Sequence, residues 1–186
     1  MKTDKKYRLW TFQSTIAIKE LNSKGILEVD WEIYSKTNSF LKPYQWMVKQ
    51  MAVRKISCNN SAPIWAWHSC GKYEKAPRLV DARGLLSNME IEDGIKTIEF
   101  ECPVELVLLS NYSIWNMMLD EISSQEDETK IDKETENRLF ETSRRKFRKY
   151  DIIQAALPYL KLDWVKEIRE LNLKPNDFSY EPEEEV

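Results

Sequence analysis

Tyr7 to Gln13 (YRLWTFQ) alternates aromatic and β-favouring residues, which predicts a strand with Leu9, Thr11 and Gln13 on one face and Trp10 and Phe12 on the other. Ser14 or Thr15 can cap the helix that follows, where Ile16, Ala17, Glu20 and Leu21 recur at helical spacing and Gly25 marks the end. Ile26, Leu27 and Val29 suggest a short extended piece. From Pro43 to about Arg54, Tyr44, Met47, Val48 and Met51 share a face and predict a helix. The polar break Asn59 to Pro63 is followed by Ile64-Trp65-Ala66-Trp67-His68, whose alternation predicts a strand with both tryptophans on one face.

Lys96 to Glu101 (KTIEFE) sets Ile98 and Phe100 against Thr97, Glu99 and Glu101, a half-buried strand with a carboxylate face. The continuous apolar run Glu105 to Ser110 reads as a central strand. Asn111 is then placed to cap a helix over Ser113 to Ile122. Ser123 to Glu136 is almost wholly polar and reads as an insertion, a solvated loop or an exposed helix start rather than core. Glu134 to Tyr150 is expected to be helical, and Ile152 to Leu171 forms another amphipathic stretch, kinked or broken at Pro158. The pattern predicts an α+β fold, with a mixed sheet of short strands, flanking helices and a helical C-terminal part. It fits a single domain over residues 1–172 with an acidic insertion near 123–136. Residues 173–186 form an acidic tail expected to be disordered.

Composition removes several alternatives. The chain has 186 residues, enough for one domain with a substantial core. Its 4 glycines argue against a Gly-rich phosphate loop, and a net charge of -3 supplies no global field for duplex nucleic acid. The 3 cysteines, Cys58, Cys70 and Cys102, suit reduced thiols better than a disulfide framework or a zinc knuckle, and no metal site is expected. The polar start Met1-Lys-Thr-Asp-Lys-Lys has no apolar signal core and no stretch is long enough to span a membrane, so a cytoplasmic location is expected.

Four segments carry a family resemblance: LWTFQ at 9–13, YQWMVKQMAVR at 44–54, PIWAW at 63–67 and LLSNYSIW at 108–115. Together they resemble domain-of-unknown-function family 3841, a bacterial family of about this length, in which Asp is more usual at the position of Asn111. More distantly, Leu9-Trp10-Thr11-Phe12-Gln13 followed by a helix ending in Gly25 is similar to the first strand and helix of ADP-ribosyltransferases. That likeness implies NAD as cofactor and a macromolecular target, protein or nucleic acid, as for a toxin or phage-defence effector held by an antitoxin or other regulatory protein. Thr11 and Gln13 would meet the ribose and amide, Trp65 or Trp67 would stack on the nicotinamide, and His68 adjoins them. Thr11 stands where such enzymes usually carry His or Arg. Glu99, Glu101, or Ser110 with Asn111, would stabilise the oxocarbenium charge at the ribose carbon.

Each of these features also has a plain structural reading. Paired tryptophans pack under helices, an E-x-E face is solvated, and a lone His at a strand end is a hydrogen-bonding residue. The run Arg144-Arg145-Lys146-Phe147-Arg148-Lys149 holds five cations in six residues. It suits either an exposed helix face balanced by the acidic insertion or a nucleic-acid contact, with RNA or single-stranded DNA favoured because no duplex-docking motif is present. A non-enzymatic RNA-binding or protein-binding module that uses the aromatic face and this run is therefore the alternative to the enzyme.

Overall fold

A computed structural model describes residues 5–35, 40–92, 94–124 and 131–173. The expected first unit forms as β1 (Lys6–Ser14) and α1 (Thr15–Lys24). Ser14 Oγ accepts the Ala17 N–H at 3.2 Å, and Gly25 closes the helix at φ 74 by donating its N–H to Leu21 O at 2.8 Å. These two caps satisfy backbone groups that a helix end leaves open, which is why the element starts and stops there.

After β2 (Ile26–Leu27) and the short α2 (Glu32–Ser35) comes α3 (Leu41–Val53), then β3 (Ile64–Cys70). Two short helices, α4 (Leu79–Leu85) and α5 (Asn88–Glu92), precede β4 (Ile95–Pro103) and β5 (Leu108–Asn111). Asn111 Oδ1 accepts the Ile114 N–H at 3.1 Å and starts α6 (Tyr112–Ser124). Asp132 caps α7 (Lys133–Phe140) by accepting the Thr135 N–H at 2.9 Å. The described chain ends with β6 (Ile152–Leu157), β7 (Leu160–Lys161) and β8 (Val165–Glu170).

Six strands form one sheet in the order β5-β6-β3-β1-β4-β8, and every neighbouring pair is antiparallel. One face packs on α1 and the β2–β7 pair through Leu9, Ile18, Leu21, Ile98, Phe100 and Leu157. The other carries α3, α6 and α7 through Trp46, Met47, Met51, Trp115, Met118 and Leu139. A smaller cluster joins Ala82 and Leu86 to Phe12 and Ile95.

The α+β class and flanking helices are as expected, but four expectations change. The sheet is antiparallel throughout rather than mixed. The C-terminal part is strand rather than helix, because Ile152–Leu157 is a short run, apolar but for Gln154, whose helical or extended character periodicity cannot decide. The Leu108–Asn111 strand lies at the sheet edge rather than its centre. The helix expected to reach Tyr150 stops at Phe140, so Arg144 to Lys149 is a chain of turns and not a basic helix. The middle of the acidic insertion, 125–130, and the tail from Lys174 lie outside the described residues.

β1 pairs with β4 continuously from Lys6↔Pro103 to Ser14↔Ile95, yet β1 and β3 share only Trp10↔Trp67. A register shift in β3 between Trp67 and Ser69 re-aims that strand, as an extra residue in a ladder does. Thr11 Oγ1 donates to Trp65 O at 2.7 Å, so a hydroxyl occupies a carbonyl that the broken ladder leaves open. The two central strands thus stay side by side but pair in the ladder at one position.

Candidate functional site

The register aligns one residue from each of five strands across the sheet: Ser110↔Gln154, Gln154↔Trp67, Trp67↔Trp10 and Trp10↔Glu99. Directly opposite residues share a face, so this row lies on the α3–α6 side, with Trp65 and Phe12 two residues along. Gln154 Nε2 donates to Ser110 Oγ at 3.0 Å. Trp67 meets Tyr112 of α6 edge-on at 5.2 Å and Phe12 at 6.4 Å. Trp65 packs against Tyr44 at 5.0 Å and Trp115 at 5.5 Å, and its buried indole N–H has no acceptor among the described residues.

Alternation places Thr11 and Gln13 on the opposite, α1 face. Thr11 is fully buried and accepts Gln13 Nε2 at 2.9 Å, so the pair satisfies itself rather than converging with the tryptophan rings. Trp10 and Phe12 are the residues of that strand that face Trp67.

His68 also points away from Trp67, between Tyr7 at 5.1 Å and Tyr73 at 5.2 Å. Its Nδ1 lies 2.8 Å from Ser69 Oγ, and its Nε2 is 4.0 Å from Glu74 Oε1. Ser, His and Glu occur here in hydrolase order, but Ser69 is fully buried and accepts the Glu74 N–H at 2.8 Å, so no substrate reaches it. Burial pushes the His68 pKa down against the weaker upward pull of Glu74. An unfolded histidine titrates near about 6.5, so as pH falls through that value the unfolded chain takes up the proton first. Stability from the neutral ring is complete above that pH and declines towards the lower folded value. The urea midpoint is expected to fall between pH 7 and pH 5, and His68→Asn is expected to flatten that drop; an equal drop in both would remove His68 as its cause.

Glu99 is not a solvated carboxylate. It accepts Arg8 Nε at 2.7 Å and Trp10 Nε1 at 2.9 Å, with Arg169 Nη2 at 3.6 Å. Burial pushes its pKa up, but the Trp10 and Arg8 hydrogen bonds and the two guanidinium charges outweigh that and hold it below the usual glutamate range. Glu101 pairs with Lys166 at 3.0 Å. Burial raises Cys58 to about 11 and Cys70 and Cys102 to about 12, so none is an activated thiolate.

Beyond the β5 edge lies an open groove of about 780 Å³ between the start of α6, α7 and the turns after it. It brings Asn111 together with Lys146 and Arg148, and adds Arg138, Ser113 and Asn137. Glu134, Glu141 and Asp151 complete its charges. The rest of the basic run is elsewhere. Arg144 lies 5.9 Å over Tyr73, Phe147 meets Tyr73 edge-on at 5.5 Å, Lys149 sits 4.9 Å from the Tyr150 ring, and Arg145 is exposed.

A family model described as a domain of unknown function, DUF3841, matches residues 8–154, most of the chain. The chain belongs to the DUF3841 family. No curated protein and no solved structure matches it. The DUF3841 match contains the whole row from Ser110 to Glu99 and all the lining of the groove, and stops before β7 and β8. Among the described residues of this DUF3841 protein, no group of three or more His, Cys, Asp or Glu is placed to hold a metal, and no helix is long and apolar enough to cross a membrane.

Sequence reasoning missed Gln154, Trp10, Tyr112 and Arg138. Gln154 left one signal, a single amide inside the apolar run IIQAAL, because a buried polar residue must find a partner. The others depend on register or on which loop returns to which helix.

Proposed function

We propose that the protein binds NAD beside the interrupted β1–β3 ladder, on the tryptophan face, and acts as an ADP-ribosyltransferase-like enzyme. The observation that carries this reading is the single Trp10↔Trp67 pair joining the two strands, flanked on one face by aromatic rings and by the Gln154–Ser110 pair. Trp67, Phe12 and Tyr112 offer ring faces and edges for an aromatic heterocycle. Trp65 supplies an indole N–H without an acceptor, and Gln154, whose Nε2 is spent on Ser110, keeps its carbonyl oxygen as an acceptor. A donor and an acceptor on one face are what a carboxamide requires.

NAD would supply a ribose carbon that accepts a nucleophile of the target as nicotinamide leaves. Gln154 stands beside Trp67 as the neutral group able to turn its carbonyl dipole towards positive charge developing at that carbon. Glu99, held by Arg8 and Trp10, orients the Trp10 ring instead.

NAD is expected to quench tryptophan fluorescence and raise the melting temperature, and a target-bearing lysate is expected to release nicotinamide. Tyr112→Ala, on a half-buried side chain, should weaken NAD at least tenfold with folding retained. Gln13→Ala, on the α1 face, should leave NAD affinity unchanged. If millimolar NAD changes neither fluorescence nor melting of the wild-type protein, the proposal fails.

A further inference from the structure

The groove beyond the β5 edge contains three cations, Arg138, Lys146 and Arg148, and among the described residues none of the three forms an ion pair. Two of the three carboxylates around them are already engaged. Asp151 Oδ2 accepts the Arg148 N–H at 2.6 Å, and Glu141 Oε1 accepts the Ser143 N–H at 3.2 Å. The Ser143 hydrogen bond, with a further contribution from Lys146, lowers the Glu141 pKa. The turn that presents Lys146 and Arg148 is itself fixed. Lys146 and Phe147 donate their N–H groups to Ser143 O at 3.0 and 3.2 Å, and the Phe147 ring is anchored on Tyr73. Lys146 and Arg148 on this hydrogen-bonded turn, with Arg138 on α7, line an open groove without an ion pair of their own among the described residues, which lowers the ordering cost of holding an anion there.

We propose that this groove docks a single strand of nucleic acid by its phosphates. At about 780 Å³ and open to solvent, it is not a closed pocket for a free anion. Asn111, Ser113 and Asn137 add amides and a hydroxyl to the lining, suited to base edges and sugar hydroxyls. A duplex is disfavoured by the net charge of -3 and by the acids Glu134 and Glu141 on the walls. Phe147, committed to Tyr73, is not the stacking residue. Binding is read without NAD, so this inference and the NAD reading stand or fall separately.

The test is fluorescence anisotropy of labelled oligo-dT and oligo-U against the full chain across a salt series. Single strands give a slope in log affinity against log salt of about −0.7 per phosphate engaged, so three cations predict roughly −2, or about a 20-fold loss for a fourfold rise in salt. Lys146→Glu with Arg148→Glu is expected to abolish binding with the melting temperature unchanged, and Arg145→Glu, outside the groove, to change affinity less than threefold. Preference for oligo-U or oligo-dT assigns RNA or DNA. No binding by the wild type at low salt overturns the proposal, as does equal loss in the Arg145 variant. Displacement of the strand by NAD at constant ionic strength would also overturn it, by assigning the groove to the dinucleotide's diphosphate.

Discussion

Trp115→Ala is expected to destabilise the protein by about 3–5 kcal/mol, the range for deleting a large aromatic from a packed core. Trp115 is buried at the centre of an aromatic stack, with ring centroids 5.5 Å from Trp65, 6.2 Å from Trp46 and 6.5 Å from Tyr44. Those rings come from β3 and α3, so one side chain joins α6 both to the sheet and to its neighbouring helix. Single domains are held by roughly 5–15 kcal/mol, so the loss is a large share of the total. Urea unfolding at neutral pH measures it as a shift in midpoint at constant slope. A cost below about 1 kcal/mol, which is ordinary for a tolerated surface change, would mean that this stack is not a packed core in solution. Trp65 would then be free for a ligand. The large value fixes the Trp65 ring in the stack, with only its indole N–H left to a ligand, and leaves the Trp67 ring, which meets only Tyr112 and Phe12 among the described aromatic rings, as the stacking surface of β3.

Local chemistry made much of the fold legible. The cap at Ser14, the left-handed Gly25, the apolar stripe of α3 and the cap at Asn111 all follow from neighbours within four residues. Both tryptophans of β3 share a face, as alternation requires. What alternation cannot tell is which face of β1 joins them, because the Trp10↔Trp67 register is a contact across the whole of α1 to α3. Alternation alone therefore gives no ground for preferring Thr11 and Gln13, the sequence candidates, over Trp10 and Phe12, the residues that register turns towards Trp67. The same limit hid β6, a short apolar run without helical or strand period, and with it Gln154. In the basic run, charge was legible but direction was not. A helix would have spread its cations around an axis, whereas the turns send Lys146 and Arg148 into the groove and Arg144 onto Tyr73.

Glu99→Ala is expected to cost about 2–3 kcal/mol at neutral pH, the scale of a lost charge-assisted hydrogen bond together with a stranded partner. The stranded group is the Trp10 indole N–H, buried and, among the described residues, bonded only to Glu99 Oε2. Arg8 and Arg169 keep enough exposure to regain water, so the penalty stays below that of breaking a fully buried ion pair. Glu101→Ala, which removes only the exposed pair with Lys166, should fall within about 0.5 kcal/mol of wild type. The Glu99 carboxyl is held below the unfolded glutamate value of about 4.3, so its contribution is present above that pH and is lost as pH falls through the folded value. The gap between wild type and Glu99→Ala should therefore narrow from pH 7 to pH 3, measured by urea unfolding at each pH. A gap of constant width would show that Glu99 acts through packing rather than charge. A variant that unfolds like wild type but no longer binds NAD would move the site's polar partner from Gln154 to Glu99, whereas a purely structural loss keeps Gln154 as the residue to test for chemistry.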